Sequence, residues 1–114
     1  MPAKFRLTRA DFNLISSQRA QRIRGAFFTL STTPLPLGTI SPKIACVVSK
    51  KAARSAVDRN RVRRRCRAAL RPLMAQIKDP VAIVFYATKE SVGAEYSQLS
   101  ADIEYLLKKG GLLR

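Results

Sequence analysis

The stretch from Asp58 to Leu73 constrains this chain most, because its charge is built into an amphipathic helix. At about 100° per residue, Val62, Cys66, Ala69, Leu70 and Leu73 fall in one apolar stripe at helical spacing. Arg61, Arg64, Arg65, Arg67 and Arg71, with Asn60 among them, fan over the opposite face. Such a helix docks on a core and holds a rigid row of guanidinium groups toward solvent. Solvated helices normally alternate charge signs, which lowers self-repulsion and allows pairing one turn away. From Arg54 to Arg71 there are eight arginines and one acid, so the repulsion has no internal remedy. The pattern calls for an external polyanion.

Charge over the whole chain agrees. The net charge is +15 and the isoelectric point is near 11.2, which points to nucleic acid first and an anionic membrane surface second. Residues 1–78 hold 18 Lys/Arg against two acids, whereas residues 79–114 hold four against five. One side of the molecule is therefore expected to face anions. The hydrophobic share of 46% argues against disorder, and 114 residues fit one domain, 1–114. Two cysteines and no histidine exclude the common four-ligand zinc sites. Cys46 and Cys66 read as buried free thiols, in keeping with a cytoplasmic home. The basic N-terminus lacks the apolar run of a secretory signal, and no stretch approaches 18 apolar residues, so no membrane span is expected.

Along the chain, Thr8 to Asp11 resembles a capping box opening a short helix with Phe12 and Ile15 on its apolar side. Arg19, Arg22 and Arg24 read as a basic connector, and Ala26 to Thr33 as a strand with Phe28 and Leu30 on one face. Pro34, Pro36, Gly38 and Pro42 break the chain into a loop. Ile44 to Val48 is a second strand, apolar on both faces and so expected to be central. The arginine helix starts after an N-cap at Ser55 or Asp58, and Pro72 should end or kink it by removing the bond to the Ala68 carbonyl. Val81 to Tyr86 is a third strand. A last helix runs from about Glu95 to Lys109 with Tyr96, Leu99, Ile103, Leu106 and Leu107 as its stripe, stopped by Gly110 and Gly111. The order αββαβα makes an α+β sandwich with a small central sheet.

No catalytic constellation emerges. Without histidine no Ser-His or Cys-His dyad can form, and there is no Gly-rich phosphate loop. Asp102 and Glu104 come near each other, but two apart on a helix they point to different faces and read as solvated surface. Binding chemistry is better supported. Arginine presents a planar fork of donors suited to phosphate, and Lys50 and Lys51 add point charges beside the helix N-terminus. Phe12, Phe28 and Leu30 read as core, unless an aromatic among them is exposed beside the basic groups and stacks on single-stranded nucleic acid.

The run Ala56-x-x-Arg59-Asn60-Arg61-Val62-Arg63-Arg64-x-Cys66-Arg67 resembles the arginine-asparagine-arginine signature of the bacterial ribonuclease P protein. Val48 to Lys51 matches that family's strand end, and Arg6-Leu7 with Asp11-Phe12 its opening helix, so the likeness spans nearly the whole chain. The resemblance implies the protein subunit of an endoribonuclease that removes the 5′ leader of precursor tRNA in the cytoplasm. It also implies a catalytic RNA that carries the hydrolysis and holds magnesium, with no cofactor on the protein and neither DNA nor membrane as partner. By resemblance Arg59, Asn60, Arg61, Arg64 and Arg67 face the RNA subunit, joined by Arg63, Arg65 and Lys50. A cleft between the first helix and the sheet would take the single-stranded leader through Phe12, Phe28, Leu30, Val48 and Lys51. The family fold also implies a left-handed βαβ crossover, an exception to the usual hand. Three residues depart from the pattern: Ser16 stands where a second aromatic is usual, Cys66 replaces an aliphatic residue, and Pro72 interrupts the helix. The competing reading is a ribosomal or other structural RNA-binding protein, which would often carry its charge in disordered tails. A DNA-binding basic helix would need a dimerising heptad after the arginines, where Pro72 and a strand stand instead. A membrane-surface helix needs a bulkier inner face than Cys66 and Ala69 provide.

Overall fold

A computed structural model describes residues 21–34, 42–78 and 81–114. The proposed opening helix, with Phe12 and Ile15, lies outside the described residues. Four strands, β1 (Gln21–Arg24), β2 (Phe28–Pro34), β3 (Lys43–Val47) and β4 (Val81–Ala87), form one sheet in the order β1-β2-β4-β3. Helix α1 (Ala56–Leu70) joins β3 to β4, and helix α2 (Tyr96–Lys109) follows β4. The pairing is antiparallel for β1–β2 and β2–β4 and parallel for β3–β4. A parallel pair needs a crossover of a dozen or more residues, and the arginine helix is that crossover.

Strand alternation sorts the sheet into two faces. Ile23, Leu30, Phe85 and Cys46 lie in register across it, and with Phe28, Ile44 and Ile83 they meet the helices' inner residues in one core. Val62, Cys66, Ala69 and Leu70 enter from α1, and Leu99, Ile103, Leu106 and Leu107 from α2. Cys46 and Cys66 are free and buried; burial pushes the Cys66 thiol well above its usual range, and the adjoining Cys46 adds to this.

The structure corrects four expectations. β3 is not central: among the described residues it pairs with β4 alone, and Ala45 and Val47 on its second face are half-buried. The central strand beside it is β4, whose Ala82, Ile83, Val84 and Phe85 are buried on both faces. Second, the supposed connector at Arg22 and Arg24 is β1, where Ile23 turns to the core and the arginines to the other face. A short charged edge strand resists pairing with further chains. Third, Tyr96 leaves the inner stripe of α2 and stands 44% exposed.

Fourth, Asp102 is not solvated surface. It is buried on the inner face of α2, three residues from Leu99 and four from Leu106. Its carboxylate accepts the backbone N–H groups of Ala26, Phe27 and Phe28, each at 3.0 Å. The amides of Ala26 and Phe27 are thus committed to the carboxylate ahead of β2, and that of Phe28 at its first residue. A Cβ added at Gly25 would stand 2.7 Å from both carboxylate oxygens, so the carboxylate's position requires glycine there. Glu104, by contrast, is exposed and pairs with Lys108 at 3.2 Å.

Other boundaries follow local chemistry. α1 stops at Leu70 and Arg71–Gln76 continues as a 3-10 turn, with Pro72 at its start. Glu95 caps α2 in a reciprocal box with Gln98, and Gly111 takes the positive φ of 69° past its end.

Asp102→Ala should cost about 2–4 kcal/mol, because it strands amides that are wholly or partly shielded from water. The thermal midpoint should fall by roughly 10 °C, with hydrogen exchange rising at Ala26, Phe27 and Phe28. A loss under about 1 kcal/mol with unchanged exchange would refute the role given to this carboxylate.

Candidate nucleic-acid interface

Helix α1 begins because the Ser55 hydroxyl accepts the N–H groups of Val57 and Asp58 at 3.2 and 3.4 Å. That decides the N-cap in favour of Ser55, and leaves Asp58 in the first turn, where the helix dipole favours an acid. The inner stripe fixes the rotation of the helix, so the arginines take defined directions. They do not form one uniform free row.

Three of them tether structure. Arg59 Nη1 donates to the carbonyls of Ala53 and Arg54 at 2.9 and 2.8 Å, closing the approach to the helix. Arg61 Nη2 donates to Asp58 Oδ1 at 3.1 Å and to the Val92 carbonyl at 3.4 Å. Arg65 Nη1 donates to the Ala94 carbonyl at 3.1 Å. Arg61 and Arg65 thereby bind α1 to the segment that leads into α2. A guanidinium has five donors, and these bonds leave most of them available.

The remaining charge is uncommitted. Arg63 Nη1 donates to Asn60 Oδ1 at 2.9 Å, which orients both groups on the surface. Arg64 and Arg67 have no partner among the described residues. Val57, Asn60, Arg63, Arg64 and Arg67 line an open groove of about 560 Å³. Arg61, Arg64, Arg65, Ala68 and Tyr96 line a second of about 370 Å³, so Arg64 borders both. Lys50 and Lys51 are exposed in the turn between β3 and α1, where Ser49 accepts the Ala52 and Ala53 amides. The geometry can grip a phosphate chain along one helix face with bidentate guanidinium contacts.

The residues expected to line a leader cleft separate. Phe28, Leu30 and Val48 are core, 1%, 0% and 4% exposed, and the Phe28 ring packs edge-on to Phe85 at 6.0 Å. Lys51 is exposed, and Phe12 lies outside the described residues. Phe28 and Leu30 point toward the helices and belong to the core. The opposite face carries Arg22, Arg24, Thr29, Val47 and the half-buried Tyr86. There the Arg22 guanidinium lies 5.7 Å from the Tyr86 ring centroid. Period-two alternation could have found Tyr86 as the outward neighbour of Phe85, and Arg22 beside Ile23, had β1 been recognised as a strand.

Among the described residues no three Cys, Asp or Glu side chains gather closely enough to hold a metal ion, and no helix is long and apolar enough to cross a membrane.

The family model described as Ribonuclease P matches residues 1–111. The ribonuclease P protein component of a Synechococcus species is 35% identical over 116 residues, spanning 99% of this chain and 86% of that protein. That of Idiomarina loihiensis is 36% identical over 104 residues, spanning 90% of this chain and 80% of its own. Among solved structures, the RNase P protein of Staphylococcus aureus superposes with a TM-score of 0.81 at 22% identity, covering 96% of this chain and 98% of that one. That of Thermotoga maritima gives 0.77 at 23%, covering 91% and 96%. At such identities the superpositions speak to the fold, and the sequence matches carry the family. The chain belongs to the bacterial ribonuclease P protein family.

Proposed function

We propose that this chain is the RNA-binding protein subunit of ribonuclease P and supports 5′ maturation of tRNA. The observation that carries the reading is the outer face of α1, where Arg64 and Arg67 have no partner among the described residues and stand beside the oriented Asn60–Arg63 pair. These groups, with Lys50 and Lys51, would contact the phosphates of the catalytic RNA. Arg59, Arg61 and Arg65 hold the helix in place and offer their remaining donors to the same strand. Hydrolysis and the magnesium ions are assigned to the RNA subunit, since the chain has no histidine and its described carboxylates do not fit a metal site. The protein's part is to bind and position in the cytoplasm. Single-stranded leader is assigned to the end of the sheet face turned away from α1 and α2, where the half-buried Tyr86 offers a ring and the exposed Arg22 and Arg24 offer charge, while Ser31, Thr33, Ala82 and Val84 on the same face are buried.

Removing Arg64 or Arg67 by alanine should weaken binding to the RNA subunit and flatten the slope of log affinity against log salt by roughly one unit each. Thermal stability should barely change, whereas Arg61→Ala or Arg65→Ala should lower it by about 1 kcal/mol through lost carbonyl tethers. A large stability loss in Arg64→Ala with an unchanged salt slope would contradict this division of labour.

Purified chain without RNA should not cut precursor tRNA, and adding the RNA subunit should restore cleavage. Sustained magnesium-dependent cleavage at the mature 5′ end by RNA-free protein would overturn the assignment.

For the leader, Tyr86→Leu should reduce affinity for leader-bearing precursor by roughly 1–3 kcal/mol while leaving mature tRNA unaffected. Phe28→Leu should act mainly on stability. The reverse result would restore Phe28 as a leader contact.

A further inference from the structure

We propose that the groove between α1 and the start of α2 is a nucleotide subsite, in which one unstacked base of the RNA subunit lies on the Tyr96 ring and its phosphate on Arg64. The inference rests on the RNA-binding reading above and adds to it a stacking contact outside the arginine signature. Tyr96 is the first residue of α2 and stands 44% exposed. It lines the groove with three arginines and Ala68, whose small side chain keeps the floor open. The volume, about 370 Å³, falls within the range of roughly 300–1,000 Å³ common for small-ligand sites.

The walls are fixed in advance. Arg65 is held by the Ala94 carbonyl two residues before Tyr96, and Arg61 by Val92 and Asp58, so neither needs ordering when a ligand arrives. Arg64 enters the groove with no acceptor bound to it among the described residues. Free phosphate would need only the cations. A groove that sets an exposed aromatic wall beside them fits a base and its phosphate together, the pairing by which proteins hold splayed-out nucleotides of structured RNA.

The test compares the parent chain with Tyr96→Leu and Tyr96→Phe for affinity to ribonuclease P RNA of the same source, at several salt concentrations. Leucine should lower affinity about 5- to 150-fold, the equivalent of one stacked base, while phenylalanine should stay within about twofold of the parent. The salt slope should not change in either variant, because stacking releases no counterions. Parent-like affinity for Tyr96→Leu, alongside a normal loss for Arg64→Ala, would overturn the subsite and leave the proposed function standing. Failure of the parent to bind the RNA would overturn both. A second readout does not depend on variant stability: Tyr96→p-benzoylphenylalanine should photocrosslink to one short unpaired segment of the RNA. Crosslinks spread over duplex regions, or none, would overturn the subsite.

Discussion

A single carboxylate sets the frame on which both faces of this molecule are built. Asp102, on the inner side of α2, accepts three consecutive amides of the turn between β1 and β2. The carbonyls of that turn are engaged as well: Gly25 donates to Phe28, and both the amide and the hydroxyl of Thr88 donate to Phe27. The amides of residues 25–28 and the carbonyls of Phe27 and Phe28 are thereby paired. The position of α2 and the orientation of the β1–β2 hairpin are consequently one decision. Arg22 and Arg24 reach the opposite side of the sheet because Ile23 is drawn to the core, and the core partner it meets across the ladder is Leu30.

The same helix organises the arginine face. Val92 and Ala94, just ahead of α2, present carbonyls to Arg61 and Arg65 of α1. Carbonyl tethers suit this protein better than carboxylate partners would. An acid beside each arginine would cancel the field that attracts RNA, whereas a neutral carbonyl orients the guanidinium and leaves its charge intact. The ion pair of Arg61 with Asp58 on the helix is part-exposed on both sides and so contributes little to stability. Self-repulsion along α1 is therefore tolerated rather than neutralised, held in check by the apolar stripe from Val62 to Leu70.

Much of this was legible in the chain. The apolar stripe of α1, its end before Pro72, the glycine stop of α2 and the buried thiols all follow from helical periodicity and from residues with few conformational options. What sequence could not resolve were choices settled by tertiary partners. Asp102 sits at helical spacing with Leu99 and Leu106, a position that marks it as inward, yet a lone acid there makes sense only once the amides of residues 26–28 are seen to meet it. β3 and β4 are both apolar on two faces, and pairing alone makes β4 the inner one. The side of the sheet to which Phe28 and Leu30 belong depends on where the helices settle, and alternation gives two faces without saying which is covered. Tyr96 continues the apolar period of α2, but the helix begins where the core has already ended.

The account's central claim is that α1 presents Arg64 and Arg67 as uncommitted phosphate ligands. Residue-resolved arginine labelling with phenylglyoxal, read by mass spectrometry with and without the ribonuclease P RNA, tests it most directly. The account predicts that Arg64 and Arg67 label readily in the free chain and become protected in the complex, while Arg114, exposed at the far end of the sequence, labels in both. Equal labelling of Arg64 and Arg67 in the free and bound states, in a complex shown to be intact, would contradict it.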